Sequence, residues 1–66
     1  MNLVLNGEKR NVQSIGTVSE LLEKLSMAAG TVLVEQNGQV VQRAHFAVAK
    51  LTEGDHIEIV RVVAGG

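Results

Sequence analysis

Two Asn-Gly dipeptides, at residues 6–7 and 37–38, restrict the possible folds of this chain more than any other feature of its sequence. Asn and Gly both tolerate positive φ, the backbone conformation that the two-residue turns of β-hairpins require. The residues before each dipeptide alternate as in a strand, with Leu3 and Leu5 on one face of the first. Each dipeptide therefore predicts a hairpin. The strands of the two hairpins are expected at residues 1–5 and 8–13, and at residues 31–36 and 39–43.

The segment between the two hairpins carries the pattern of a helix start. Thr17 and Glu20 have the spacing of a capping box, in which each side chain accepts a hydrogen bond from the backbone N–H of the other. We expect a helix over residues 17–26, with room to continue through 27–29 and a stop near Gly30. One apolar stripe at i, i+3, i+4 and i+7 spacing supports it, formed by Val18, Leu21, Leu22 and Leu25.

The rest of the chain is predicted to form a loop, a turn and one more strand. Residues 44–50 are predicted as a loop or short helical turn that lays Phe46 and Val48 on the core. A turn at 52–55 then leads into a last strand at 56–63, rich in β-branched residues. The order ββαβββ predicts an α+β protein of the β-grasp type, because a right-handed crossover can place the first and last strands side by side and parallel. We expect a mixed five-stranded sheet with one main helix across one face.

Strand alternation assigns the residues of this sheet to two faces. The face toward the helix is expected to carry Leu3, Leu5, Val32, Val34, Ile57 and Ile59. The opposite face would expose apolar side chains from three strands, Val4, Leu33, Val60 and Val62, with Glu35 and Glu58 near them. An apolar cluster on one side of a small domain is typical of an interaction site. We therefore interpret these four apolar residues, together with Glu58, as a partner-binding surface.

Composition argues against several classes of function. The 66 residues suffice for one domain over 1–66, and a net charge of −1 argues against a nucleic-acid partner. No apolar run approaches the ~18 residues of a membrane span, and no signal-peptide pattern is visible, so we expect a cytoplasmic protein without membrane contact. The chain has no Cys, and His45 and His56 lack further ligands at metal-like spacing. Its carboxylates are scattered, so we expect no metal, no cofactor and no catalytic residue, and hence a protein that is not an enzyme.

The order of elements, followed by a diglycine end, resembles the ubiquitin-like sulfur carriers, and within them the ThiS family more than the MoaD family. The resemblance covers the whole chain. The residues that carry it are Leu5-Asn6-Gly7-Glu8, Thr17-Val18, Leu21-Leu22, Val34-Glu35, Asn37-Gly38, Val41, Arg43, Glu53-Gly54-Asp55, Glu58-Ile59-Val60 and Ala64-Gly65-Gly66.

The resemblance implies a function in which the reacting group is the α-carboxylate of Gly66. A ThiF-like adenylyltransferase would activate it with ATP, and sulfur from a persulfide protein would convert it to a thiocarboxylate. A ThiG-like thiazole synthase would then take the sulfur for thiamine biosynthesis. Residues 63–66 would form a flexible tail, in which Ala64 and Gly65 carry the reactive end. The two glycines of this tail lack a Cβ, which eases entry into a narrow channel.

Three alternatives remain open at this point. The chain could be a MoaD-like carrier for molybdopterin synthesis, a ubiquitin-like protein modifier that forms isopeptide bonds, or a β-grasp binding module whose tail is inert. The mass of the protein after incubation with its activating partners distinguishes a sulfur carrier from the last two.

Overall fold

The computed structural model describes residues 1–62; the predicted flexible tail, residues 63–66, lies outside the described residues. Its elements are the strands β1 (Asn2–Leu5), β2 (Glu8–Asn11), β3 (Val32–Gln36), β4 (Gln39–Val41) and β5 (His56–Arg61), and the helix α1 (Val18–Lys24). The five strands form one sheet in the order β2-β1-β5-β3-β4. β1 pairs with β5 in parallel, and the other three pairings are antiparallel. The predicted β-grasp arrangement, with the first and last strands adjacent in the middle of the sheet, is confirmed.

Both Asn-Gly dipeptides form the predicted hairpin turns. Asn6 and Gly7 have φ values of 50° and 83°, and Asn37 and Gly38 have φ values of 52° and 83°. Two successive residues with positive φ are the pattern of a type I′ turn, whose twist matches that of the flanking strands. The return strands are shorter than predicted, since β2 ends at Asn11 and β4 ends at Val41. In the second case the chain enters a 3₁₀ turn at Arg43–His45.

The helix begins as predicted and ends earlier. The Glu20 N–H donates to Thr17 Oγ1 over 3.3 Å, and the Thr17 N–H donates to Glu20 Oε1 over 3.0 Å, which completes the capping box. The predicted continuation through residues 27–29 is wrong, because Ser26 adopts a left-handed φ of 57°. The Met27 N–H then donates back to the Leu22 carbonyl over 2.9 Å, the bond of a Schellman motif that closes the helix after Lys24.

The core lies between α1 and one face of the sheet. Its buried residues are Leu3, Leu5, Val18, Leu21, Leu22, Val32, Val34, Phe46, Leu51, Ile57 and Ile59. All six strand residues predicted to face the helix are among them, so the predicted faces are confirmed. Phe46 is buried as predicted, but Val48 is 70% exposed, so its predicted place on the core is wrong. The N–H groups of Val48 and Ala49 both donate to the His45 carbonyl, and this tight turn brings Ala49 rather than Val48 against the core.

Within residues 1–62, no helix is long and apolar enough to cross a membrane.

Candidate functional site

The sheet face opposite the helix, called here the open face, presents side chains from all its strands. Pairing registers place its members, because residues directly opposite each other in neighbouring strands point to the same side. The members that matter below are Val4, Lys9, Leu33, Glu35, Val40, His56, Glu58 and Val60, with Val62 just beyond β5.

Three of the four predicted apolar residues come together on the open face. Val60 lies directly opposite Leu33, and the two side chains are 51% and 41% exposed. Val62, two residues beyond Val60, is also exposed. Sequence reasoning missed a fourth member, Val40, which is 59% exposed and lies opposite Glu35 in the neighbouring strand. Leu33, Val40, Val60 and Val62 are called the apolar patch below.

The signal that would have found Val40 is the alternation within β4. Val41 pairs with the inward-facing Val34, so its neighbour Val40 must point to the opposite side.

Val4 shares the open face but stands apart from the apolar patch. It is half-buried and lies between Lys9 of β2 and His56 of β5. His56 is four residues from Val60 along β5, which corresponds to about 13 Å along the strand. Glu58 lies between them on the same face, so the structure divides the predicted surface into a main patch and a separate Val4.

Glu58 lies at the border of the apolar patch, and its nearest cross-strand neighbour is another carboxylate. Glu58 of β5 is directly opposite Glu35 of β3, and Val40 is opposite Glu35 on its other side. In antiparallel pairs, directly opposite residues have Cβ atoms about 4.5–5.5 Å apart. The open face therefore combines an apolar patch with two adjacent negative charges.

The chain leaves the sheet beside the apolar patch. The Val62 N–H donates to the Thr31 carbonyl over 2.8 Å, which holds the chain beside the residue that precedes β3. Thr31 is itself fixed, since its N–H and its hydroxyl both donate to the Ala28 carbonyl, over 3.0 and 2.7 Å. The predicted reactive residues Ala64, Gly65 and Gly66 lie outside the described residues.

Side chains from both hairpin turns hold β5, the strand that leads to the tail. Asn6 Oδ1 accepts from the Ile59 N–H over 2.8 Å, and Asn37 Oδ1 accepts from the His56 N–H over 2.9 Å. The asparagines thus form the turns and also bind the backbone of β5 at two points three residues apart. These two hydrogen bonds fix the position of β5.

Asp55 strengthens the same region from the residue before β5. Its carboxylate accepts hydrogen bonds from Gln36 Nε2, Asn37 Nδ2 and the Thr52 N–H, over 2.9, 3.0 and 2.8 Å. Burial raises the pKa of the Asp55 carboxyl, but the hydrogen bonds from Asn37, Gln36 and Thr52 outweigh burial and hold that pKa below its ordinary value. The charged form of Asp55 therefore stabilises the start of β5.

The histidines remain apart in the fold. His45 belongs to the 3₁₀ turn after β4 and His56 begins β5, and both side chains are exposed. Among residues 1–62, no group of three or more His, Cys, Asp or Glu side chains could hold a metal ion.

Comparisons with known proteins agree along the whole chain. The ThiS family matches residues 3–66. The sulfur carrier protein ThiS of Escherichia coli is 32% identical over 66 residues, which is the full length of both chains. The crystal structure of a thiamine biosynthesis protein (ThiS) from Geobacter metallireducens superposes with a TM-score of 0.84 at 38% identity, covering 100% of both chains.

One similar protein is much longer. A thiazole synthase of Paramagnetospirillum magneticum is 39% identical to this chain over 66 residues. The match takes in the whole of this chain but only 20% of that protein, so this chain spans about a fifth of its length.

Proposed function

The chain belongs to the ThiS family, and we propose on this basis that it carries sulfur as a thiocarboxylate on Gly66 for formation of the thiazole of thiamine. The predicted family is thereby confirmed. The observation that carries the proposal is that the family match runs through the diglycine end to Gly66, with no gap in coverage against the Escherichia coli sulfur carrier. The same match favours the thiamine pathway over the MoaD-like alternative.

The chemistry needs an activated acyl group, because a carboxylate is a poor electrophile. In the proposed sequence, a Gly66 carboxylate oxygen attacks the α-phosphorus of ATP and pyrophosphate leaves. The terminal sulfur of a cysteine persulfide then attacks the acyl carbon and AMP leaves. The product is an acyl disulfide that joins the carrier to the persulfide protein. A second thiol attacks the cysteine sulfur of this bond and forms a disulfide with it, and the S–S bond to the acyl sulfur breaks and releases the thiocarboxylate.

This chemistry needs a persulfide and an ATP-binding site, and the sequence shows no residues for either, so partner proteins are proposed to supply both. The sequence contains no Cys to form a persulfide and no glycine-rich phosphate loop before a helix. A ThiF-like adenylyltransferase and a separate persulfide protein are therefore proposed to act on Gly66. The chain itself would be a protein cosubstrate.

A ThiG-like thiazole synthase is the proposed acceptor of the sulfur. Support comes from the Paramagnetospirillum magneticum thiazole synthase, because one fifth of that single chain is similar to this whole protein. When two units are joined in one chain, each is present at a high effective concentration near the other, which is useful only if the two units interact during the reaction.

The apolar patch is the proposed docking surface for these partners, with Glu58 at its border and Val4 as a peripheral contact. The patch ends at Val62, which the Thr31 carbonyl holds. Four residues follow Val62, and an extended chain of four residues reaches about 14 Å. A partner that accepts Gly66 in a buried active site must therefore cover the surface next to Val62.

Intact-mass measurement tests the proposal. The protein is incubated with a ThiF-type enzyme, ATP and a persulfide donor, and we expect a mass gain equal to the exchange of one oxygen for one sulfur. Conjugates larger than the free chain would instead indicate a protein modifier, and an unchanged mass would indicate a binding module. Transfer of the sulfur to a thiazole synthase, but not to molybdopterin synthase subunits, completes the assignment.

A further inference from the structure

Glu35 and Glu58 face each other across the two central antiparallel strands of the open face, β3 and β5. Like charges directly opposite each other in a sheet destabilise it. The pair is therefore expected to lower the stability of the free protein, and a positive charge supplied by a partner would offset this effect.

Within residues 1–62, the residues that the register places directly beside the pair on the open face include no Lys or Arg. On the same face, the register places Val40 next to Glu35 and Leu33 two residues before it. Glu58 is flanked in its own strand by Val60 and by His56. Lys9 is separated from β5 by Val4 of β1. The immediate neighbours of the two carboxylates are therefore mainly apolar.

We propose that Glu35 and Glu58 together receive one arginine or lysine side chain of the enzyme that adenylates Gly66, and that this contact orients the carrier on that enzyme. The proposal rests on the proposed function above. A basic side chain placed between the two carboxylates turns their repulsion into two attractions. An arginine suits the position because its planar group has several donors that can reach both carboxylates.

The apolar patch strengthens this contact. A partner that covers Leu33, Val40 and Val60 removes water from around the two carboxylates, and a charge pair shielded from water is stronger than an exposed one. The same burial would penalise a partner without a basic group, because two carboxylates would lose hydration without compensation. The pair thus selects among partners as well as attracting one.

The position of the pair also defines an orientation. Glu58 lies on β5 and Val62 just beyond its end, four residues later and about 13 Å away along an extended chain, and the tail begins beyond Val62. The basic group of the enzyme must then lie on the far side of the patch from the entrance to its active site. An apolar patch alone would tolerate rotation of the carrier, whereas an ion pair at its border restricts rotation.

The test uses Glu35→Gln, Glu58→Gln and the double variant, with Glu23→Gln as the matched control. Glu23 is an exposed glutamate of α1, on the other side of the sheet. Melting temperatures are measured for the free proteins, and Kd for the adenylating enzyme is measured by calorimetry at pH 8 over a series of salt concentrations.

We expect the double variant to melt roughly 1–5 °C higher than the parent protein, because the repulsion is removed. We expect it to bind the enzyme about tenfold or more weakly at low salt, with a smaller loss at high salt where charges are screened. Glu23→Gln should change neither quantity. Increased stability together with reduced affinity is a combination that general damage to the fold cannot produce.

Three results would overturn the proposal. The first is an affinity of the double variant equal to that of the parent. The second is a lower melting temperature, which would show that the carboxylates stabilise the free protein. The third is stabilisation of the parent, but not of the double variant, by millimolar MgCl₂, which would assign the pair to a metal ion.

The proposed function is read out separately. Thiocarboxylate formation at saturating enzyme, followed by intact mass, should proceed in the double variant as in the parent protein. If neither protein gains sulfur, the proposed function fails. If both gain sulfur and their affinities are equal, only the proposal on Glu35 and Glu58 fails.

Discussion

The side chain of Asn6 pairs with the backbone of Ile59 in both directions: Oδ1 accepts from the N–H over 2.8 Å, and Nδ2 donates to the carbonyl over 3.3 Å. The amide of Asn6 therefore continues the parallel pairing of β1 and β5 beyond the last residue of β1. One residue forms the hairpin turn and also holds the strand that leads to the tail.

Replacing Asn6 separates these two roles. Asn6→Gly keeps the φ of 50° accessible but removes both hydrogen bonds to Ile59, and we expect it to lower the free energy of unfolding by about 1–2 kcal/mol. Asn6→Asp keeps the oxygen acceptor and should cost less. Urea titration followed by circular dichroism gives both values. A glycine variant as stable as the parent would show that the bonds to Ile59 contribute nothing net.

Leu22 tests the core beneath the helix. Its side chain is 2% exposed, and truncation leaves a cavity that the small core fills poorly. We expect Leu22→Ala to cost about 2–5 kcal/mol, enough to unfold a large part of a domain of this size. Val48→Ala is the control, because Val48 is 70% exposed and its loss should change stability by less than about 0.5 kcal/mol. Thermal melts of both variants check the prediction, and equal melting temperatures would contradict it.

The depressed pKa of Asp55 predicts how stability depends on pH. A carboxyl whose pKa is lower in the folded than in the unfolded protein adds stability above its ordinary pKa, and that stability is lost as the pH falls through the folded pKa. The hydrogen bond from the Asn2 N–H lowers the pKa of Glu53 and acts in the same direction. The protein should therefore lose stability progressively below about pH 4.

The variant Asp55→Asn isolates this contribution. Its amide cannot accept from Gln36, Asn37 and Thr52 as the carboxylate does, so it should be less stable than the parent at pH 6. The difference should shrink toward pH 2, where the parent carboxyl is protonated. Urea titrations at several pH values measure it, and a difference that does not change with pH would refute the role of the Asp55 charge.

Val60 tests the proposed docking surface. Val60→Asp places a charge in the middle of the apolar patch, where it would lose hydration in the complex without a counter-charge of its own, since the basic side chain proposed for the enzyme pairs with Glu35 and Glu58. We expect affinity for the adenylating enzyme to fall at least about tenfold, equivalent to about 1.4 kcal/mol, with the fold unchanged. Val48→Asp, at an exposed valine outside the sheet, is the control. Calorimetry and a thermal melt check both, and unchanged affinity of the Val60 variant would place the dock elsewhere.

Deletion of Gly66 tests the reactive end. Every strand pairing described above joins residues within 1–62, so we expect circular dichroism to be unchanged. The new terminal carboxylate would stop about 3.5 Å short of its position in the parent protein, and displacements of about 1 Å already cost on the order of 100-fold in rate. We expect ATP–pyrophosphate exchange by the adenylating enzyme to be abolished. A normal exchange rate would contradict the chemistry proposed for Gly66.

Local chemistry determined the parts of this protein that depend on a few neighbouring residues. Asn6-Gly7 and Asn37-Gly38 produced the two turns because few other residue pairs accept two positive φ values. Thr17 and Glu20 set the start of the helix because their reciprocal bonds need only four consecutive residues of chain. Period-2 alternation assigned the inward residues of β1, β3 and β5 because a strand has only two faces.

Tertiary structure decided what depends on distant parts of the chain. Glu35 meets Glu58, and Val60 meets Leu33, only because the core sets the register between β3 and β5, which no local pattern encodes. In the same way, the register of β3 with β4 joins Val40 to the apolar patch, and the register of β1 with β5 leaves Val4 apart from it. Val48 is exposed because the backbone hydrogen bonds to His45 shape a turn that brings Ala49 to the core instead. Both residues are apolar, so the sequence alone does not tell which of them is buried.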